Sequence, residues 1–171
     1  MIKNSLVTEL KDAYNKSREI FIHARNKNNN LSDINSLNQN QHIAHGLAWY
    51  ATYVESLLQL SKWIEYLEAH NRLTDLEEGI AGVGAGEYCL QIMHGIPMSQ
   101  NETIRPEELG IPNEKIEDFK KLTKSLTQRS TSFEKNRVMS ILQQSIESGI
   151  QPDDGLDETY QEIKNQFKRF V

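Results

Sequence analysis

The sequence predicts an all-α fold, a bundle of about five long helices followed by a shorter C-terminal helix. Apolar residues recur at intervals of three and four along most of the 171 residues, which is the spacing of one helix face. Two capping-box motifs, Thr74-Asp75-Leu76-Glu77 and Thr131-Ser132-Phe133-Glu134, mark places where helices begin. No run of alternating apolar and polar residues is long enough to predict a strand of useful length.

The first two helices follow from their apolar stripes. A single stripe predicts a helix from about Ser5 to Arg25. The asparagine-rich stretch over residues 26–38 predicts a flexible connection, because asparagine favours turns over helix interiors. The second helix, from about Gln39 to Asn71, is apolar over more than one stripe, so we expect it at the centre of the bundle.

The third helix, over residues 74–94, is rich in small residues. Glycines at 79, 82, 84 and 86 each cost about 1 kcal/mol relative to alanine in a helix interior. We therefore expect another backbone to approach this helix closely, near Gly46 and Ala48 of the second helix. A phosphate-binding loop at Gly82–Gly86 is the weaker interpretation, because no strand precedes it and the spacing differs from the dinucleotide fingerprint.

The second half of the chain predicts a loop, two bundle helices and a separate last helix. The loop covers residues 95–110, with one helical turn at 105–110 that has proline first and glycine last. Helices follow over residues 112–128 and 131–148. The predicted domains are a helical bundle over residues 1–150, a linker over 151–156 and a final helix over 157–171.

Composition excludes several classes of function. The net charge of −5 argues against nucleic acid and against anionic membrane surfaces, since both need clustered lysine and arginine. No stretch approaches the roughly 20 apolar residues that span a bilayer. A single cysteine excludes an internal disulfide, and together with a start that lacks a targeting pattern it predicts a cytoplasmic protein.

The sequence predicts no catalytic, cofactor-binding or metal-binding residues in this chain. Cys89 has no histidine at a helical spacing to activate it, so we interpret it as a small buried apolar residue. His42 and His45 lie one turn apart, but no third ligand accompanies them and no Glu-x-x-His motif occurs. We interpret these histidines as ordinary hydrogen-bonded side chains.

Two segments are candidates for a docking surface. The loop over residues 95–110 is longer than most connections, and long loops tend to be functional, although a plain surface loop is an equal alternative. The last helix carries a row of large apolar side chains on one face, which predicts that something else buries them. The candidate docking residues are Pro97, Met98, Gln100, Arg105, Ile163, Phe167 and Phe170.

Several stretches resemble the acyl-CoA dehydrogenase family. His45-Gly46-Leu47-Ala48-Trp49-Tyr50-Ala51-Thr52-Tyr53-Val54-Glu55, Gly95-Ile96-Pro97-Met98-Ser99-Gln100-Asn101-Glu102 with Arg105-Pro106, and Glu108-Leu109-Gly110 resemble the N-terminal extension of its methylsuccinyl-CoA dehydrogenase branch. Residues 156–170 resemble the first core helix of the family, which has the pattern acidic, x, Ile, Arg or Lys, x, x, Phe, x, Arg, Phe.

The resemblance implies an accessory, non-catalytic domain of a flavoenzyme. In that family FAD and a catalytic glutamate oxidise a thioester-bound acyl group, and both belong to a part of the enzyme that lies beyond the resemblance. The implied partner is a dehydrogenase core, in cis or as a separate subunit, with a homo-oligomer as a further option. A split gene, a decayed gene and an expression fragment would all give such a chain. The alternative is an independent helical bundle that binds a protein partner or a small hydrophobic ligand.

Overall fold

The computed structural model describes residues 5–150 and 153–169 and has the expected all-α architecture. The helices are α1 (Leu6–Lys27), α2 (Ile34–Gln39), α3 (Gln41–Ala69), α4 (Asp75–His94), α5 (Asn113–Leu122), α6 (Lys124–Gln128), α7 (Ser132–Glu147) and α8 (Glu158–Lys168). Short 3₁₀ turns cover Asn29–Ser32 and Pro106–Leu109. Two-residue strands, β1 (Ile96–Pro97) and β2 (Thr103–Ile104), pair antiparallel with Ile96 opposite Ile104.

The core lies where α1, α3 and α4 meet. The contact of α1 with α3 is the most extensive in the described part of the chain, and α4 packs on α3, α6 and α7. These helices meet through side chains that are almost completely buried. The largest are Leu10, Ile20, Tyr50, Leu57, Ile64, Leu67, Ile92, Phe119 and Leu126. The central position predicted for the long second helix is therefore confirmed for α3.

The two capping boxes differ in how completely they form. At α4 the Thr74 hydroxyl accepts from the Leu76 amide at 3.2 Å, and the Glu77 carboxylate accepts from the Thr74 amide at 3.2 Å. At α7 the Thr131 hydroxyl accepts from the Glu134 amide at 3.4 Å. The Glu134 carboxylate accepts instead from the Arg137 guanidinium at 2.8 Å. At α7, therefore, only the threonine half of the capping box forms.

The flexible connection predicted over residues 26–38 is wrong, because a 3₁₀ turn and helix α2 occupy most of it. The Asp33 carboxylate accepts from the Ser36 amide at 2.9 Å and caps α2. The Asn28 side chain donates to the carbonyls of Ala24 and Leu109, at 2.9 and 3.1 Å. Asparagine and aspartate here order the segment by capping, which is the other role of these residue types.

The single helix predicted over residues 112–128 is interrupted in the structure. Helix α5 ends at Leu122 and α6 begins at Lys124. Between them Thr123 is buried, and its hydroxyl donates to the Phe119 carbonyl at 2.8 Å. A threonine that bonds back to the preceding turn commonly bends a helix, which accounts for the break.

The close approach predicted at the glycines of α4 is confirmed, but the predicted partner is wrong. A Cβ on Gly86 would lie 2.5 Å from the Leu126 carbonyl oxygen, so the partner is the backbone of α6. Gly46 of α3 instead faces the β2 strand, where a Cβ would lie 2.4 Å from Cγ1 of Ile104. The small residues of α3 and α4 therefore serve two different contacts.

Candidate docking surface

Helix α8 presents its apolar row to solvent. The Asp157 carboxylate caps the helix by accepting from the Tyr160 amide at 3.0 Å. Tyr160, Ile163 and Phe167 are 60%, 44% and 72% exposed, and no residue of α8 is buried. Phe170, the last member of the predicted row, lies outside the described residues. This face is therefore unpartnered over its described length.

The predicted docking loop is a short hairpin with a buried base. Pro97, Gln100 and Arg105 are exposed, as a docking surface needs. Met98, in contrast, is 8% exposed and belongs to the core, while its amide donates to the Glu102 carbonyl at 2.8 Å. The Met98 side chain thus anchors the hairpin to the core and is not exposed for docking.

The turn after the hairpin has the predicted form. Pro106 opens the 3₁₀ turn, and Gly110 ends it in the left-handed conformation at φ 70°. The Glu108 carboxylate accepts from the Arg105 amide at 2.8 Å and lies 3.9 Å from its guanidinium. Arg105 is therefore partly engaged within its own turn.

The two halves of the predicted docking surface do not come together. The hairpin packs at Gly46 near the start of α3, whereas the groove along α8 includes Tyr66 near the end of α3. Twenty residues of α-helix separate these positions, which corresponds to roughly 30 Å at 1.5 Å per residue. The hairpin and α8 therefore cannot form one continuous patch, and we treat α8 as the candidate surface.

Helix α7 also carries exposed apolar side chains that sequence reasoning missed. Val138 is its only buried residue, while Phe133, Met139 and Ile146 are 75%, 61% and 64% exposed. A shallow groove beside Met139 and Ile146 includes Asn136 and Gln143. The available signal was that apolar residues of this helix occupy more than one face, so that one contact with α4 could not cover them all.

The position of α8 depends on the residues that precede it. The Asp153 carboxylate accepts two hydrogen bonds from the Arg72 guanidinium, both at 2.5 Å. The Asp153 amide donates to the Glu77 carboxylate at 2.8 Å, and its carbonyl accepts from the Trp63 indole at 3.1 Å. The part of the predicted linker that the structure describes is therefore attached to the bundle.

Two carboxyl groups near this attachment have lowered pKa values. Burial acts to raise the pKa of Glu77, but hydrogen bonds from Thr74 and from the Asp153 amide outweigh it and lower the pKa. A hydrogen bond from Lys164 is the main cause of the lowered pKa of Asp154, and burial opposes it. Both groups are therefore held as carboxylates at neutral pH.

The side chains of Cys89, His42 and His45 are buried or engaged with neighbouring side chains. Cys89 is fully buried, and burial raises the pKa of its thiol to about 12, against a smaller lowering by a hydrogen bond with Thr123. His45 accepts from the Trp49 indole at 2.8 Å, and His42 lies 3.4 Å from the Glu108 carboxylate. Within residues 5–150 and 153–169 no group of three or more histidine, cysteine or acidic side chains is arranged to hold a metal ion.

The described helices also lack a membrane-spanning candidate. None of those in the described ranges combines the length and the apolar character that crossing a bilayer requires.

Comparison with known proteins finds a dehydrogenase that is similar to part of this chain. The (2S)-methylsuccinyl-CoA dehydrogenase of Cereibacter sphaeroides is 35% identical over 140 residues, which cover 80% of this chain. The chain spans 24% of the length of that curated relative. No protein-family model matches the sequence. The similarity relates the chain to the acyl-CoA dehydrogenases through a region that is about a quarter of the relative.

Proposed function

We propose that this chain is an accessory, non-catalytic helical domain of a FAD-dependent acyl-CoA dehydrogenase of the methylsuccinyl-CoA type. In this proposal it packs on the dehydrogenase core, in cis or as a separate cytoplasmic subunit, and corresponds to an N-terminal extension. The observation that carries the proposal is the exposed apolar row of α8 in a chain that is 35% identical to part of such an enzyme.

The chemistry of α8 suits a protein partner made of packed helices. Its three exposed apolar side chains, at intervals of three and four residues, share one helix face. Burying one such side chain stabilises a complex by about 1.5–3 kcal/mol before the entropy of association is subtracted. An apolar row of this size on an amphipathic helix is typical of helix-in-groove docking.

The glycine-rich segment of α4 does not fit the pyrophosphate of a flavin. The glycine segment Gly82–Gly86 lies inside helix α4, where the helix ladder uses the amides that a pyrophosphate would need. Gly86 and Gly82 are also closed off by Leu126 and Arg129. In this proposal the flavin is held by the dehydrogenase core.

A binding experiment tests the proposal. The chain would be mixed with the C. sphaeroides dehydrogenase from which the matching region has been deleted, and the complex followed by sedimentation velocity. We expect a complex with the unaltered chain. The substitutions Ile163→Asp and Phe167→Asp place charge in the apolar row, so we expect them to abolish the complex.

The control uses an exposed aromatic residue on another helix. Phe133→Asp on α7 alters a side chain as exposed as Phe167 but outside the α8 row, and it should leave the complex intact. If the unaltered chain forms no complex, the proposal is overturned. An isolated monomer that binds no dehydrogenase would favour the alternative of an independent helical bundle.

A further inference from the structure

Two consecutive aspartates lie between the bundle and α8, and their side chains contact different parts of the structure. Asp153 contacts the bundle, whereas Asp154 contacts α8. We propose that Asp153 and Asp154 form a rigid joint that fixes the direction of α8 relative to the bundle. The joint presents the apolar row of α8 at a set angle, so α8 is not carried on a free tether.

On the bundle side, Asp153 is held by three separate elements. Arg72, just beyond α3, binds both carboxylate oxygens, and the same guanidinium lies 5.5 Å from the centre of the Tyr66 ring. Glu77 at the start of α4 accepts from the Asp153 amide, and Trp63 of α3 donates to its carbonyl. A bidentate arginine–carboxylate pair constrains geometry as well as charge, so this residue has little freedom to rotate.

On the helix side, Asp154 holds the first two turns of α8. Its carboxylate accepts from the Leu156 amide at 3.1 Å and from the Gln161 side chain at 2.6 Å. Lys164 pairs with the other oxygen of the same carboxylate. Leu156, Gln161 and Lys164 span the helix start and its first turns, so Asp154 fixes the axis of α8 and not only its first residue.

Glycine at position 155 completes the joint. Gly155 has φ 71°, a conformation that residues with a side chain rarely adopt, and its amide donates to the Asp153 carboxylate at 2.9 Å. A Cβ at this position would lie 2.7 Å from Cδ1 of Trp63. The backbone that leads into α8 therefore lies in close contact with α3. The turn at Gly155 is one that a residue with a side chain would rarely adopt.

The joint matters because α8 has little apolar packing to orient it. No residue of the helix is buried, so apolar packing against the bundle contributes little to its angle. The hydrogen bonds of Asp153 and Asp154, together with the close contact of Gly155 with Trp63, constrain the direction of α8 instead. This inference concerns the isolated chain and does not rest on the proposed dehydrogenase partner.

Distances between two spin labels test the joint. Lys62→Cys on α3 and Gln166→Cys on α8 place labels at exposed positions, while Cys89 is buried and has a pKa of about 12, which keeps it unreactive. We expect one narrow distance distribution in the doubly labelled chain. In Asp153→Ala and in Asp154→Ala we expect this narrow distribution to be lost and replaced by a broad one.

Two comparisons keep the result unambiguous. Asp118→Ala on α5 removes an exposed aspartate that pairs with Lys121 three residues away, so it should leave the distribution narrow. Arg72→Gln breaks the joint from the bundle side and should broaden it, with circular dichroism showing that the bundle stays folded. The joint is refuted if the starting chain is already broad, or if both aspartate variants stay narrow. Neither outcome changes the binding test of the proposed function, which is measured separately.

Discussion

At the scale of single residues, the glycines of α4 differ sharply in what surrounds them. The nearest atom to a Cβ on Gly86 is a backbone oxygen at 2.5 Å, which cannot move without shifting α6. On Gly82 it is Cδ of Arg129 at 2.9 Å, a flexible side chain. Gly84 has only Leu60 at 3.9 Å. One helix therefore contains an intolerant glycine, an intermediate one and a tolerant one.

Alanine substitutions should reveal this order. We expect Gly86→Ala to lower the free energy of unfolding by about 1–3 kcal/mol, because the added methyl overpacks the contact with α6. Gly84→Ala is the control on the same helix, and it should be neutral or stabilising by up to about 1 kcal/mol through helix propensity. Leucine at position 82 or 86 should be more damaging than alanine. Chemical denaturation measures all four variants, and equal stabilities for the two alanine variants would contradict the packing account.

Glu77 links the stability of the bundle to pH. Its pKa is lowered in the folded protein, so its contribution to stability is complete above the ordinary pKa of glutamate. That contribution is lost as the pH falls through the lowered value. Glu77→Gln should therefore destabilise the protein at neutral pH by about 1.5–3 kcal/mol, the range for hydrogen bonds to a buried charge. The loss should shrink below the ordinary glutamate pKa.

Melting temperatures measured at neutral and acidic pH check this expectation. Glu68→Gln is the matched control, because the Glu68 side chain is exposed on α3. It should show little effect at either pH. A Glu77→Gln variant as stable as the starting protein at neutral pH would mean that the capping carboxylate contributes nothing to the fold.

At the scale of elements, α8 is joined firmly at its first residues but uncovered along its length. We predict that amides over residues 163–167 exchange hydrogen much faster than those over 47–58, because an exposed helix opens locally without unfolding the bundle. Hydrogen exchange on the monomer measures the two segments in one experiment. Equal protection would show that α8 belongs to the core and would remove the docking surface.

The exposed row of α8 should also be dispensable for the fold of the isolated chain. Phe167→Ala removes a side chain that is 72% exposed, so we expect the free energy of unfolding to change by no more than about 0.5 kcal/mol. Phe119→Ala, at a fully buried position of α5, should lower it by about 3–5 kcal/mol. Urea denaturation compares the two, and a large effect at Phe167 would mean that the bundle already covers it.

At the scale of the whole molecule, the described residues form an all-α bundle from which helix α8 extends. We predict that the purified chain is colourless and does not retain FAD, because its glycine-rich segment is an internal part of α4. Absorbance in the visible flavin bands and titration of FAD fluorescence measure how much flavin the chain holds. Stoichiometric flavin on the isolated chain would contradict this prediction.

Local signals in the sequence were sufficient for the fold class and for most helix ends. The periodicity of apolar residues identified α1, α3, α4 and α7, because one buried face imposes a 3.6-residue repeat. The Thr74 capping box and the Pro106 to Gly110 turn were predicted because they depend on residues within one turn of each other. The same locality misled the prediction for residues 26–38, where asparagine and aspartate cap short helices.

Only the tertiary structure decided which surfaces meet. It placed Gly86 against α6, buried Met98 beneath the hairpin and separated the hairpin from α8 along α3. It also brought Arg72 to Asp153, 81 residues later, which forms the joint at α8. The physical reason is that periodicity and capping report the face and the ends of each helix. Contacts between distant segments depend on how those faces pack together in three dimensions.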